Sequence, residues 1–126
     1  MFLRFTVARK DSASRQYAGV FVAAYRLRNS GLLPEHEYDR LFDLLCWFGE
    51  NLKVPRRFSK SGFAPERAIC WFKSSAQMHI AAAWELADIL EQNDILVRAL
   101  KTERPGYIAY EDDAQVAAIP FRDTNL

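Results

Sequence analysis

The sequence predicts an α+β fold: a single domain over residues 1–126, with elements in the order β-α-α-β-α-β-β-β and three helices over one mixed sheet. Three observations carry this prediction. A chain of 126 residues holds one hydrophobic core and little more. Apolar residues recur at helical spacing in three segments, and alternate or run together in shorter segments between them. No internal repeat or linker divides the chain, so one sheet covered by helices is the economical way to bury those faces. The C-terminal hairpin is expected to pack against the helices.

Each element follows from its residues. Phe2, Arg4 and Thr6 alternate with Leu3, Phe5 and Val7, and residues 2–9 read as a strand. Asp11-Ser12-Ala13-Ser14 reads as a turn with capping residues. From Ser14 to Asn29, the residues Tyr17, Val20, Phe21, Ala24 and Arg28 share one helical face, although Val20-Phe21-Val22 also suits a strand. Gly31 then supplies a stop by tolerating a left-handed backbone. Pro34 and Glu35 open the second helix, with proline in the first turn and acids near the positive end of the dipole. Tyr38, Leu41, Leu45, Phe48 and Leu52 line its apolar face, and Pro55 ends it. Residues 53–66 form a long loop, which marks them for function or mobility. Ala68-Ile69-Cys70-Trp71-Phe72 is an apolar strand, and Ser74-Ser75-Ala76-Gln77 reads as a capping box. The helix it opens carries Ile80, Ala83, Trp84, Ala87 and Leu90 on one stripe. Residues 95–101 are a strand and Arg104-Pro105-Gly106 a turn. Residues 107–111 and 115–121 form a hairpin around Asp112-Asp113, with Tyr107, Ala109 and Glu111 on one face and Ile108 and Tyr110 on the other.

Composition narrows the function classes. Half the residues are hydrophobic and 26% charged, the balance of an ordinary globular protein and not of a disordered one. A net charge of +1 argues against a histone-like polyanion binder and against an acidic DNA mimic. It conceals four blocks of alternating sign: residues 1–34 carry +5, 35–52 carry −4, 53–73 carry +5 and 74–126 carry −5. Blocks of this kind either pair with each other or face partners. Two cysteines are too few for a disulfide framework. No apolar run approaches the roughly 18–20 residues of a membrane span, and Met1 to Val7 lacks a signal-peptide pattern. A cytoplasmic location and no membrane partner are therefore expected.

Specific catalytic signatures are missing from the sequence. The five glycines are too far apart for a phosphate loop, and Cys46 and Cys70 stand singly, each read as a small hydrophobe. His36, Glu37 and Asp39 do not share one helical face and read as a solvated helix start, so no metal site and no cofactor are expected. Lys53, Arg56, Arg57 and Lys60, interleaved with Phe58 and Phe63, have the composition of a single-stranded nucleic-acid contact. The acidic 35–52 helix explains the same cations as an internal pairing, and the whole domain lacks the high pI of a dedicated nucleic-acid binder, which favours that. Trp47 points about 150° from the centre of its helix's apolar face, towards His36, Arg40 and Asp43. It is covered by the basic loop or anchors an interface together with Arg56 and Arg57.

A candidate anion site follows from topology. If the strand at 68–73, the helix at 75–92 and the strand at 95–101 form one crossover, the two strands run parallel and end at the same sheet edge. Lys73 and Lys101 end those strands. Ser75 and its neighbours offer helix-start amides there, and Arg104 and the Tyr107 hydroxyl leave from the adjoining turn. His79, one turn up the helix, is the nearest proton donor, or else a rim histidine stacked on a neighbour.

The stretch from Ala68-Ile69-Cys70-Trp71-Phe72-Lys73 through Arg104-Pro105-Gly106-Tyr107-Ile108-x-Tyr110-Glu111-Asp112 to Gln115-Val116-x-Ala118-x-Pro120-Phe121 resembles a group of small, uncharacterised bacterial proteins. They share a Trp-Phe-Lys strand and an Arg-Pro-Gly-Tyr-x-x-Tyr-Glu-Asp hairpin. The likeness covers about half the chain firmly and the first half loosely, through Gly19-Val20-Phe21, Trp47-Phe48 and Pro55. Ile119 stands before Pro120 where the group's pattern suggests an acid. The resemblance implies a bacterial cytoplasmic origin and no particular activity.

Two readings of function compete. The first is a non-enzymatic protein-interaction or regulatory module whose partner is another protein or a second copy. The second is a binder of a small anion (phosphate, carboxylate or nucleotide) at the edge near Lys73, Lys101 and Arg104, with catalysis as an extension of it. Nucleic-acid binding through residues 53–73 stands behind both.

Overall fold

The computed structural model describes residues 1–10, 17–55 and 68–124. The elements are β1 (Phe2–Lys10), β2 (Tyr17–Gly19), α1 (Val20–Asn29), α2 (Glu35–Asn51), β3 (Ile69–Lys73), α3 (Gln77–Gln92), β4 (Val97–Thr102), β5 (Tyr107–Glu111) and β6 (Gln115–Ile119). This is the expected α+β order with one short strand, β2, added before α1. The segment whose residues suited both helix and strand divides: Tyr17–Gly19 pairs with β1, and the helix begins only at Val20. The turn expected at 11–14 lies outside the described residues.

Phe2 pairs with Lys73 on one side and Thr102 on the other, so β1 lies between β3 and β4. β6 follows β3, β5 follows β6, and β2 pairs with β1 on the side that β3 occupies. Every pairing is antiparallel, which corrects the expectation of a mixed sheet. The crossover β3-α3-β4 exists and its strands run the same way, but β1 is inserted between them, so they never pair.

Residues 103–106 join β4 to β5, the outermost strands of this order. In a flat sheet the joined ends would stand roughly 20 Å apart or more, at about 4.8 Å per strand spacing, while five backbone steps reach only about 17 Å. The sheet therefore curls. Ile69, Trp71, Leu100 and Val116, with Phe2 against them, form a cluster on the inner face of that curl. The outer face carries Phe5, Val7 and Phe72, which pack with Val20, Leu41, Leu45, Phe48, Leu86 and Leu90 of the three helices.

Two helix faces differ from the sequence prediction. In α3 the buried residues are Ala83, Leu86, Ala87, Ile89 and Leu90, while Trp84 is 51% exposed. The helix is covered by α1 and α2 as well as by the sheet, so its buried arc rotates away from Ile80 and Trp84. Trp84 instead sits edge-on to Phe5, ring centroids 4.9 Å apart. The expected capping box does not form: α3 starts at Gln77 with no side-chain cap, after a turn in which the Ala76 amide donates to the Lys73 carbonyl. In the hairpin, the register shifts by one residue between Ile108 and Tyr110, at Ala109. This resets the alternation and puts Tyr107 and Tyr110 on one face, Ile108 and Glu111 on the other.

Candidate functional site

The ends of β3 and β4 do lie at one sheet edge, joined through Phe2. The cations gathered there are paired or apart. Lys73 Nζ sits 2.5 Å from Glu111. Ser75 is exposed, and its carbonyl accepts from the Gln77 amide. Lys101 is exposed and lies across from Leu3. Arg104 leaves this group: its Nη1 is 3.8 Å from Asp123, and its guanidinium lies 5.0 Å from the Phe121 ring centre. Tyr107 packs edge-on to the same ring at 4.6 Å and pairs with Ile119, at the far end of the hairpin from Glu111. The physical reason is the curl, since the 103–106 connection crosses to β5 instead of turning back beside Lys101. The strand ends that carry Lys73 and Lys101 share this edge, but Lys73 lies across from Phe2 and Lys101 across from Leu3, so their side chains stand on opposite faces, and Arg104 and Tyr107 lie elsewhere.

His79 is drawn elsewhere. Its Nε2 donates to the Asn51 carbonyl at 2.7 Å, which satisfies one of the orphan carbonyls that end α2. Its ring lies 5.1 Å from that of Trp47 and 6.4 Å from that of Phe72. Trp47 therefore does not point at solvent with Arg40 and Asp43. It is half-buried between Phe48 and His79 in the seam of α2 and α3. The apolar arc of α2 is wider than the sheet-facing stripe because α3 covers a second side of it. Arg56 and Arg57 lie outside the described residues. Cys46 and Cys70 are both exposed, unlike the buried hydrophobes their surroundings in sequence suggest.

A polar cluster at the hairpin is absent from the sequence expectations. Asp112 Oδ1 accepts from the amides of Ala114 at 2.9 Å and Gln115 at 3.0 Å. Its Oδ2 accepts from the Tyr110 hydroxyl at 2.7 Å and from Gln115 Nε2 at 3.3 Å. Gln115 is buried, and its Nε2 also donates to the Lys53 carbonyl just beyond α2. Burial alone would push the Asp112 carboxyl up; the bonds from Tyr110, Ala114 and Gln115 outweigh it and hold the carboxyl below its ordinary value. The bond to Asp112 correspondingly pushes the Tyr110 phenol up. The signal for this cluster is Asp112 itself, whose side chain can close a turn on amides two and three residues ahead. The long-range bond to Lys53 has no local signal. The cluster clamps a loop to a sheet, and it offers neither an activated nucleophile nor a cavity. Among the described residues, no group of three or more His, Cys, Asp or Glu is placed to hold a metal ion.

The third feature is the β4 strand. Its partner is β1 alone among the described residues, none of which pairs with its other edge. Beside the start of β4, a groove of about 450 Å³ lies between α1 and residues 94–96, lined by Val22, Leu27, Ile95 and Leu96 with Arg26 and Asp94 among the polar groups. Leu96 is 69% exposed, and Val22 and Trp84 are exposed as well. No helix is long and apolar enough to cross a membrane among the described residues.

The fold and this geometry define an open, curled antiparallel α+β domain with a split β-α-β unit. No family model, curated protein or solved structure matches the chain.

Proposed function

We propose that this chain is a non-enzymatic protein-interaction or regulatory module of the bacterial cytoplasm, and that it meets its partner along β4. The observation that carries this reading is the β4 edge, unpaired among the described residues and flanked by the exposed apolar side chains Leu96, Val22 and Trp84. Monomeric domains guard such edges or cover them, and an apolar rim beside one is a place where another chain adds. The anion reading is weaker because Lys73 and Arg104 each already face a carboxylate.

The test is photo-cross-linking in the native host, with a benzophenone amino acid placed at Leu96 and, as a control, at the exposed Asp43 of α2. Protein adducts specific to Leu96 are the expected result. Equal labelling at both positions, or none at either, overturns the reading. Titration with phosphate, sulfate and nucleotides is expected to leave the melting temperature unchanged; a shift lost in Arg104→Ala would favour the anion site instead.

A further inference from the structure

We propose that the partner at β4 is a second copy of this chain, paired β4 to β4 in antiparallel fashion about a two-fold axis at Ala99. The inference rests on the interaction reading above and specifies its partner.

The first argument concerns register. A two-fold perpendicular to the sheet keeps the helices of both copies on one side, and it requires paired residues to share a face. Centred on Ala99, it sets Ala99 against its own copy, Arg98 against Leu100 and Val97 against Lys101. No like charges stand directly opposite. An axis at Arg98 would set Arg98 against its own copy, a repulsive pair. An axis at Leu100 also avoids like charges, and the small Ala99 at the axis distinguishes the register chosen here.

The second argument is steric. Ala99 pairs across the sheet with Phe5, and Trp84 lies edge-on to Phe5 on the helix side. Trp84 is half-exposed and Ala99 is exposed. The small side chain at the axis leaves room for the two Trp84 rings to approach each other over it, and aromatic anchors at the centre of an interface are where binding energy concentrates.

The third argument is charge. Lys101 and Glu91 are exposed and form no ion pair among the described residues. Glu91 follows Trp84 by two helical turns, so it lies on the same side of α3, about 10 Å further along the axis at 1.5 Å per residue. α3 runs opposite to β4. The Lys101 of the second copy, opposite Val97, stands about 7 Å from the axis in that same direction. The two groups thus differ by only about 3 Å along the strand direction, which sets the Lys101 of one copy towards the Glu91 of the other, twice by symmetry.

The experiment uses engineered cysteines in the full chain, with Cys46→Ser and Cys70→Ser removing the native thiols. Ala99→Cys places two thiols directly opposite each other, within the Cα separation that a disulfide accepts. Lys101→Cys places them about 13 Å apart, four residues out of register. Mild oxidation is expected to convert most of Ala99→Cys to a covalent dimer and to leave Lys101→Cys monomeric, with matching far-UV spectra showing that both are folded. Sedimentation of the unmodified chain should show a concentration-dependent mass. Lys101→Glu should weaken association at least tenfold, and the double variant Lys101→Glu with Glu91→Lys should restore it. Equal cross-linking at both positions, or a monomer at every concentration, overturns the proposal. Monomeric protein whose Leu96 position still labels a different protein in the host would sink the second copy alone. Absence of any β4 adduct would sink the interaction reading with it.

Discussion

Replacing Asp112 probes the hairpin clamp most directly. Its carboxylate accepts from the Tyr110 hydroxyl, two backbone amides and the Gln115 side chain. A hydrogen bond to an ionised group contributes about 1.5–3 kcal/mol, but the four share one acceptor and do not add. The donors nearest solvent regain water when the carboxylate goes. Gln115 cannot, because it is 3% exposed, and its amide would keep only the Lys53 carbonyl. Asp112→Ala is therefore expected to destabilise by about 2–3 kcal/mol. Asp112→Asn retains an oxygen for both backbone amides but turns an NH2 towards the Gln115 amide, and should lose about 1–2 kcal/mol.

The pH dependence separates this from a packing effect. The folded carboxyl sits below its ordinary value of 3.8. A depressed folded-state pKa gives stability that is fully present above the unfolded value and is lost as pH falls through the folded one. The gap between wild type and Asp112→Asn should thus be widest near pH 6 and shrink steadily below about pH 4. Urea midpoints followed by far-UV circular dichroism at several pH values give the gap directly. A gap that is constant across this window, or missing at its upper end, refutes the argument.

Other expectations follow from burial. Leu41 is completely buried, so Leu41→Ala should lower stability by about 3 kcal/mol, read from the urea midpoint at unchanged m-value. Trp84→Ala should lose only about 1–2 kcal/mol, since half the ring is already in water, while reducing self-association in sedimentation. Gly106 has φ of +133°, and a Cβ there would collide with the Ile119 carbonyl. Gly106→Ala should therefore destabilise by about 3 kcal/mol or more in a thermal melt.

Much of the fold is legible in the sequence because it is set locally. The alternation at 2–7, the stripe of α2 and the turn at Asp112-Asp113 each reflect a period or a turn chemistry contained within a few residues. The shared edge of β3 and β4 is legible too, through the handedness and length of the crossover. The place of β1 between those strands is not, because strand pairing depends on residues seventy and a hundred positions away. The same limit explains Trp84 and Trp47. Periodicity identifies a helix and one apolar stripe, but the width and centre of the buried arc depend on how many neighbours cover it. Ala109 escapes for a different reason: a register shift moves the faces without altering the sequence signal for a hairpin. Arg104 and Tyr107 lie away from Lys73 because the four residues after β4 cross the curl to β5 instead of turning back.

The same topology leaves β4 at one margin of the sheet. β1 takes the place beside β4 that β3 would hold in a parallel unit, and among the described residues β4 has no neighbour on its other side. The inner face of β4 joins the core through Leu100, and its outer face packs through Val97 on the helix-side core and lies beside Phe5 and the rim of Trp84. A strand paired on one side and without a described neighbour on the other gains most from one more: backbone hydrogen bonds along the edge, apolar area from Trp84 and Leu96, and a partner for Lys101. β5, the opposite margin of the sheet, exposes Tyr107 and Ile108. Its Tyr107 is already packed on Phe121 and its Glu111 already paired with Lys73. The proposal of β4 as the partner edge therefore rests on Lys101, which forms no ion pair among the described residues, and on the exposed Leu96 beside it.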